Sequence, residues 1–135
     1  MRSNVFMIAA NAADQEWFRQ ASVRALRQAY LHFYPDLSSA LEWLKGSREG
    51  VNLILLDADG LKTPELQSFL SAYRLSRYRK IPLVMYGSSP DYPVRTYAED
   101  VNAFLLAPPD PEERTRMWHS VVEFWLNVSH LPWEF

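Results

Sequence analysis

Four runs of this sequence are apolar without alternation: VFMIAA (Val5 to Ala10), VNLILLDA (Val51 to Ala58), IPLVMY (Ile81 to Tyr86) and VNAFLLA (Val101 to Ala107). A strand with one face in water alternates apolar and polar residues. Runs this continuous therefore suit strands covered on both faces, the condition of a parallel sheet between two layers of helix. Helical patterns lie between them. Asn11 or Asp14 can cap a first helix carrying Phe18, Ala21, Ala25 and Leu26, and Ser38 or Ser39 a second with Ala40, Leu41 and Leu44 that stops at Gly46. Thr63 and Pro64 open a third, with Leu66, Phe69, Leu70 and Tyr73 inward. Ser88 to Asp100, with two prolines, predicts a short fourth helix. Asp110, Pro111 and Glu113 give the fifth a cap, a first-turn proline and a capping-box acid, ahead of a stripe at Met117, Val121, Phe124, Trp125 and Val128. The remaining segment, Ala29 to Asp36, becomes the second strand, and the β-α alternation predicts a doubly wound, five-stranded parallel α/β sheet filling residues 1–135 as one domain.

Composition narrows the function. A net charge of -2 supplies no positive field to gather nucleic acid or anionic membrane. With no cysteine there are no disulfides, thiolate metal sites or cysteine nucleophiles. The N-terminal apolar run reaches Asp14 too soon for a signal peptide or membrane span, so a cytoplasmic location is expected. His32, His119 and His130 lack ligand-like spacing, and no histidine is identifiable as a base beside Ser88 and Ser89. The turn from Ala10 to Asp14 has no glycine-rich loop for a nucleotide phosphate. No cofactor, metal or enzymatic activity is expected.

In an open parallel sheet, ligands bind beyond the carboxyl ends of the strands. Those ends here read Ala9-Ala10-Asn11, Asp57-Ala58-Asp59-Gly60, Gly87-Ser88-Ser89 and Ala107-Pro108-Pro109. VNLILLDADG, IPLVMYGSS and VNAFLLAPPDPEE, in this order, resemble the third, fourth and fifth strands of response regulator receiver domains, CheY-like proteins of the flavodoxin-like (βα)5 fold. The tail of the third helix, YRLSRYRKIP, and the ending FWLNVSHLP are similar to the single-domain regulators associated with phytochromes. The resemblance covers essentially the whole chain. It implies that Asp57 stands at the phosphoacceptor position. It also exposes departures: the acidic pair that binds magnesium is matched by Ala9 and Ala10, the switch hydroxyl by Gly87 and the lysine by Ala107.

Phosphoryl transfer asks a protein mainly for positioning and for charges that neutralise the moving oxygens. A charge pair near 4 Å contributes about 4 kcal/mol at an effective dielectric of 20, and losing one such interaction slows a reaction roughly a thousandfold. The expectation is a degenerate receiver serving as a protein interaction module, with a phosphorylatable regulator served by a histidine kinase as the rival.

An aromatic content of 14%, with five tryptophans, points to interfaces. What the resemblance implies is association through the fourth helix, fifth strand and fifth helix. By position that surface comprises Tyr92, Tyr97, Phe104, Trp118 and Trp125, and it supports a homodimer or docking on a kinase. Trp133 and Phe135 in the tail have two open readings, packing back on the domain or contacting a second protein.

Overall fold

The computed structural model describes residues 2–23, 25, 28–46, 51–59, 63–75, 79–88 and 101–128. Its elements are β1 (Arg2–Ile8), α1 (Ala12–Ser22), β2 (Gln28–Tyr34), α2 (Leu37–Gly46), β3 (Leu53–Asp57), α3 (Thr63–Leu75), β4 (Leu83–Gly87), β5 (Ala103–Leu106) and α4 (Pro111–Val122), the last continuing as a π-helical turn, Glu123–Val128. The strands are parallel, in the order β2-β1-β3-β4-β5. The winding reverses between β1 and β3, so the crevice beyond their carboxyl ends is where a site belongs. All but Ser88 of the predicted fourth helix lies outside the described residues, together with Tyr92, Tyr97, His130, Trp133 and Phe135.

Side chains on a strand alternate between faces, and each face of this sheet has its own core. Phe6, Ile8, Ile54, Leu56, Leu83 and Met85 meet Leu37 and Ala40 of α2 and Leu66, Phe69 and Leu70 of α3. Val5, Met7, Leu53, Leu55, Val84 and Tyr86 meet Phe18 and Ala21 of α1 and Trp118, Val121 and Val122 of α4. The central strands β3 and β4 are buried at every position, which is why their sequences do not alternate. The hydroxyl of Tyr73 on α3 donates to the carbonyls of Ile81 and Arg79, tying the approach to β4 onto that helix.

The caps are partly as expected. Asn11 accepts from the Asp14 N–H at 2.8 Å, and Asp110 from the Glu113 N–H at 3.0 Å. Helix α2 is capped not by Ser38 or Ser39 but by Asp36, whose carboxylate accepts from the Ser39 N–H at 2.8 Å. That bond holds the Asp36 carboxyl below its ordinary pKa.

The inner stripe of the last helix differs from the predicted one. The core-facing residues are Trp118, Val121, Val122 and Leu126, while Phe124 is 53% exposed. A strictly α-helical continuation drifts around the axis with every fourth residue. The wider π turn drifts back, so Trp118, Val122 and Leu126 stay on one line. Trp118, in the regular part of the helix, is corrected from the interaction surface to the core: it is 0% exposed, edge-on to Phe18 and Tyr86 with ring centroids 5.5 and 4.8 Å away.

Candidate functional site

At the carboxyl end of the sheet, three acidic side chains meet three different fates. Asp14 sits in the first turn of α1, on the face that also carries Phe18 and Ala21, and is completely buried. Arg114 in the first turn of α4 reaches across and closes a fork on it, Nε to Oδ1 at 2.8 Å and Nη2 to Oδ2 at 2.7 Å. Trp118, one turn further along α4, donates its Nε1–H to the same Oδ1 at 3.0 Å. A bidentate guanidinium and an indole satisfy this carboxylate, and the cluster joins α1 to α4 as a structural clasp. The pairing holds Arg114 above its ordinary pKa, chiefly through the hydrogen bonds to Asp14.

Asp57 ends β3 and is 4% exposed. Its Oδ1 accepts from the Asp59 N–H at 2.9 Å, and among the described residues its Oδ2 has no hydrogen-bond partner. Burial pushes its carboxyl up to about 6. The bond from Asp59 opposes the shift, the negative charges of Asp59 and Asp14 add to it, and Arg114 opposes it weakly. The nearest strong cation is already committed to Asp14.

Asp59 lies at the surface, but its carboxylate spans to the end of the next strand. It accepts from the Ser88 N–H, at 2.9 Å to Oδ1 and 3.1 Å to Oδ2, and from the Ser88 hydroxyl at 2.9 Å to Oδ2. This bridge occupies the space above Gly87, where a Cβ would stand 3.1 Å from Asp59 Oδ1. A side chain at position 87 would require the carboxylate to give by a few tenths of an ångström. The glycine at 87 and the Asp59–Ser88 bridge fit together in one packing arrangement.

Among the described residues, positions 9, 10 and 107 bring no side-chain donor to Asp57. Ala107 is buried in the core between the sheet and α4. The carbonyl of Ala10 accepts from the Gln15 side chain at 2.9 Å. Ala9 has φ 63°, a left-handed conformation in which alanine is strained and aspartate or asparagine is better tolerated. Tyr86 points into the same region; burial and then the negative charge of Asp57 raise its pKa, and its hydroxyl has no partner among the described residues.

A divalent cation of the magnesium type requires several oxygen ligands, usually including one or two carboxylates beside its retained waters. The donor set does not fit it. Asp14 is consumed by Arg114 and Trp118, Asp59 faces Ser88, and the side chains at 9 and 10 are methyl groups. Among the described residues, no cluster of acidic or histidine side chains is arranged to hold a metal ion.

The sequence put Asp57 at a strand end, and it closes β3. It missed the Asp14–Arg114 clasp, and two signals could have shown it. Asp14 shares the helical face of Phe18 and Ala21. Arg114 stands near a helix N-terminus, where a cation opposes the dipole unless a carboxylate pairs with it.

Comparison with family sequence profiles finds no match, and comparison with curated proteins finds none either. Solved structures do match. The phosphorylated cyanobacterial phytochrome response regulator RcpA superposes with a TM-score of 0.83 at 21% identity, over 98% of this chain and 99% of that one. The Mn(2+)-bound form of response regulator Rcp1 gives 0.85 at 21% identity, over 96% and 99%. A response regulator receiver domain from Rhodospirillum rubrum gives 0.78 at 19% identity, over 96% of each chain. The chain has the flavodoxin-like fold of receiver domains.

Proposed function

We propose that this chain is a degenerate receiver that does not carry out magnesium-dependent phosphoryl transfer and that works as a cytoplasmic protein interaction module, engaging itself and a signalling protein such as a histidine kinase. The carrying observation is that, among the described residues, the charged groups beside Asp57 are committed to other partners: Arg114 to Asp14, and the Asp59 carboxylate to Ser88. RcpA was crystallised phosphorylated and Rcp1 with manganese. This chain keeps their fold without an acidic pair at positions 9 and 10.

The surface supplies the other half of the reading. Leu106 on β5 is 57% exposed, and Phe124 on the π turn stands edge-on to Trp125 with ring centroids 4.9 Å apart. Phe124 also lines a shallow depression of about 480 Å³ with His119, Ser120 and Glu123. Phe104 and Trp125 are half-buried and pack against the two cores. Large apolar side chains beside a polar rim have the composition of a docking site.

Calorimetric titration with manganese and with magnesium tests the first half. The expected result is no saturable binding up to millimolar concentration. Saturable binding that disappears in Asp57→Asn would instead support a phosphorylatable single-domain regulator.

A further inference from the structure

The two edges of the sheet are protected very differently. β5 is four residues long, AFLL, and runs into Pro108 and Pro109. β2 is seven residues long, QAYLHFY, with no charged residue, proline or glycine in it. Natural sheets blunt their edges with shortness, proline or charge, because an open row of backbone groups is a template for another strand. β2 carries none of these devices.

Its open groups can be named. Tyr34 turns its carbonyl toward β1, where it accepts from the Ala9 N–H at 2.8 Å. Backbone polar groups alternate sides along a strand, so Gln28, Tyr30, His32 and Tyr34 serve β1. Ala29, Leu31 and Phe33 then aim both N–H and C=O outward, where no strand pairs with them among the described residues.

We propose that β2 is a self-pairing edge: a second copy of this chain adds its own β2 antiparallel to the first, across a two-fold axis at Leu31, making one continuous sheet. The outward residues are spaced symmetrically about Leu31, so in this register each exchanges both of its bonds with an outward residue of the other copy. Leu31 faces Leu31, and Phe33 faces Ala29, large against small. On the opposite face Tyr30 lies across from His32. No like charges meet along the strand. The nearest charged residues on α1, Arg19 and Glu16, are already paired at 2.7 Å, with the guanidinium 5.2 Å from the centre of the Phe33 ring. This self-complementarity favours a second copy over a foreign strand. It moves self-association to the edge opposite the one implied by the family resemblance, and leaves the surface around Phe124 to a different partner.

The chain has no cysteine, so a single introduced thiol reports its own neighbour. Hydrogen-bonded residues opposite one another in antiparallel strands have Cα atoms about 5.5 Å apart, within disulfide range. The native chain should scatter light as a dimer. Leu31→Cys should form a disulfide-linked dimer under mild oxidation, and Phe124→Cys should not. Leu31→Pro removes an N–H that β1 does not use, and should give a folded monomer by light scattering and circular dichroism. A native chain that stays monomeric at high concentration overturns the proposal. So does a dimer that cross-links through Phe124→Cys and not through Leu31→Cys. Protection of the Ala29, Leu31 and Phe33 amides that appears only with an added foreign strand peptide overturns it as well.

Discussion

Asp14 and Asp57 are two carboxylates withdrawn from water at the same end of one sheet, and they live in opposite circumstances. Asp14 receives a forked guanidinium and an indole N–H. Asp57 receives one backbone N–H, and burial lifts its pKa to about 6. A buried charge is tolerated when its lone pairs are filled and resisted when they are not. Among the described residues, the cation at this end of the sheet holds α1 to α4, and the strand-end carboxylate pairs with none. The contrast separates architecture from chemistry: the acid that is well served is structural, and the acid in the position expected to react is poorly served.

The largest effect should come from breaking the served one. Asp14→Ala strands a guanidinium at the α1–α4 junction and should cost about 3–5 kcal/mol of unfolding free energy, measured by urea denaturation. Pairing Asp14→Leu with Arg114→Met should recover most of that loss, since a buried ion pair exchanged for apolar side chains of similar size is often neutral.

Asp57 should respond with the opposite sign. Its folded pKa of about 6 lies above the ordinary value of 3.8, so the folded state holds a proton more tightly than the unfolded chain does. The favourable contribution is complete below the unfolded value and is lost as pH rises through the folded one. Asp57→Asn keeps the acceptor for the Asp59 N–H without the buried charge. It should stabilise the fold at pH 7 by about 2–3 kcal/mol. It should also flatten the fall in stability between roughly pH 4 and 6, which denaturation at a series of pH values would register.

Smaller effects sharpen the same contrast. Ala9→Gly relieves a left-handed alanine and should raise stability by about 1 kcal/mol, offset in part by the greater freedom of glycine when unfolded. Tyr86→Phe removes a buried hydroxyl that has no partner among the described residues, and should be neutral or stabilising by up to about 1 kcal/mol. A clear loss of stability in Tyr86→Phe would show that the hydroxyl is satisfied after all, and thermal melts resolve that difference.

How much of this was legible in the sequence follows from how local each signal is. Continuous apolar runs announced β1, β3, β4 and β5; burial on both faces accounts for the pattern in β3 and β4, whereas β5 is an edge strand that is only partly buried and ends in an exposed Leu106. The start of α4 was legible because Asp110, Pro111 and Glu113 lie side by side. The Asp14–Arg114 pair, the Trp118 indole that completes it and the Asp59–Ser88 bridge join residues far apart in the chain, and no local pattern encodes which partner a polar group will find. Trp118 was placed at an interface by its position in the resembling family, which carries no information that its own ring fills the space between Phe18 and Tyr86. Phe124 fell off the predicted stripe because a helical wheel assumes one constant turn, and the π turn after Val122 changes the phase.

The most direct measurement is intact mass after incubation with a small-molecule phosphoryl donor and excess magnesium, with Asp57→Asn as the companion. The account predicts an unchanged mass for both proteins. A stable phosphoryl adduct on the native chain that is absent from Asp57→Asn would contradict it.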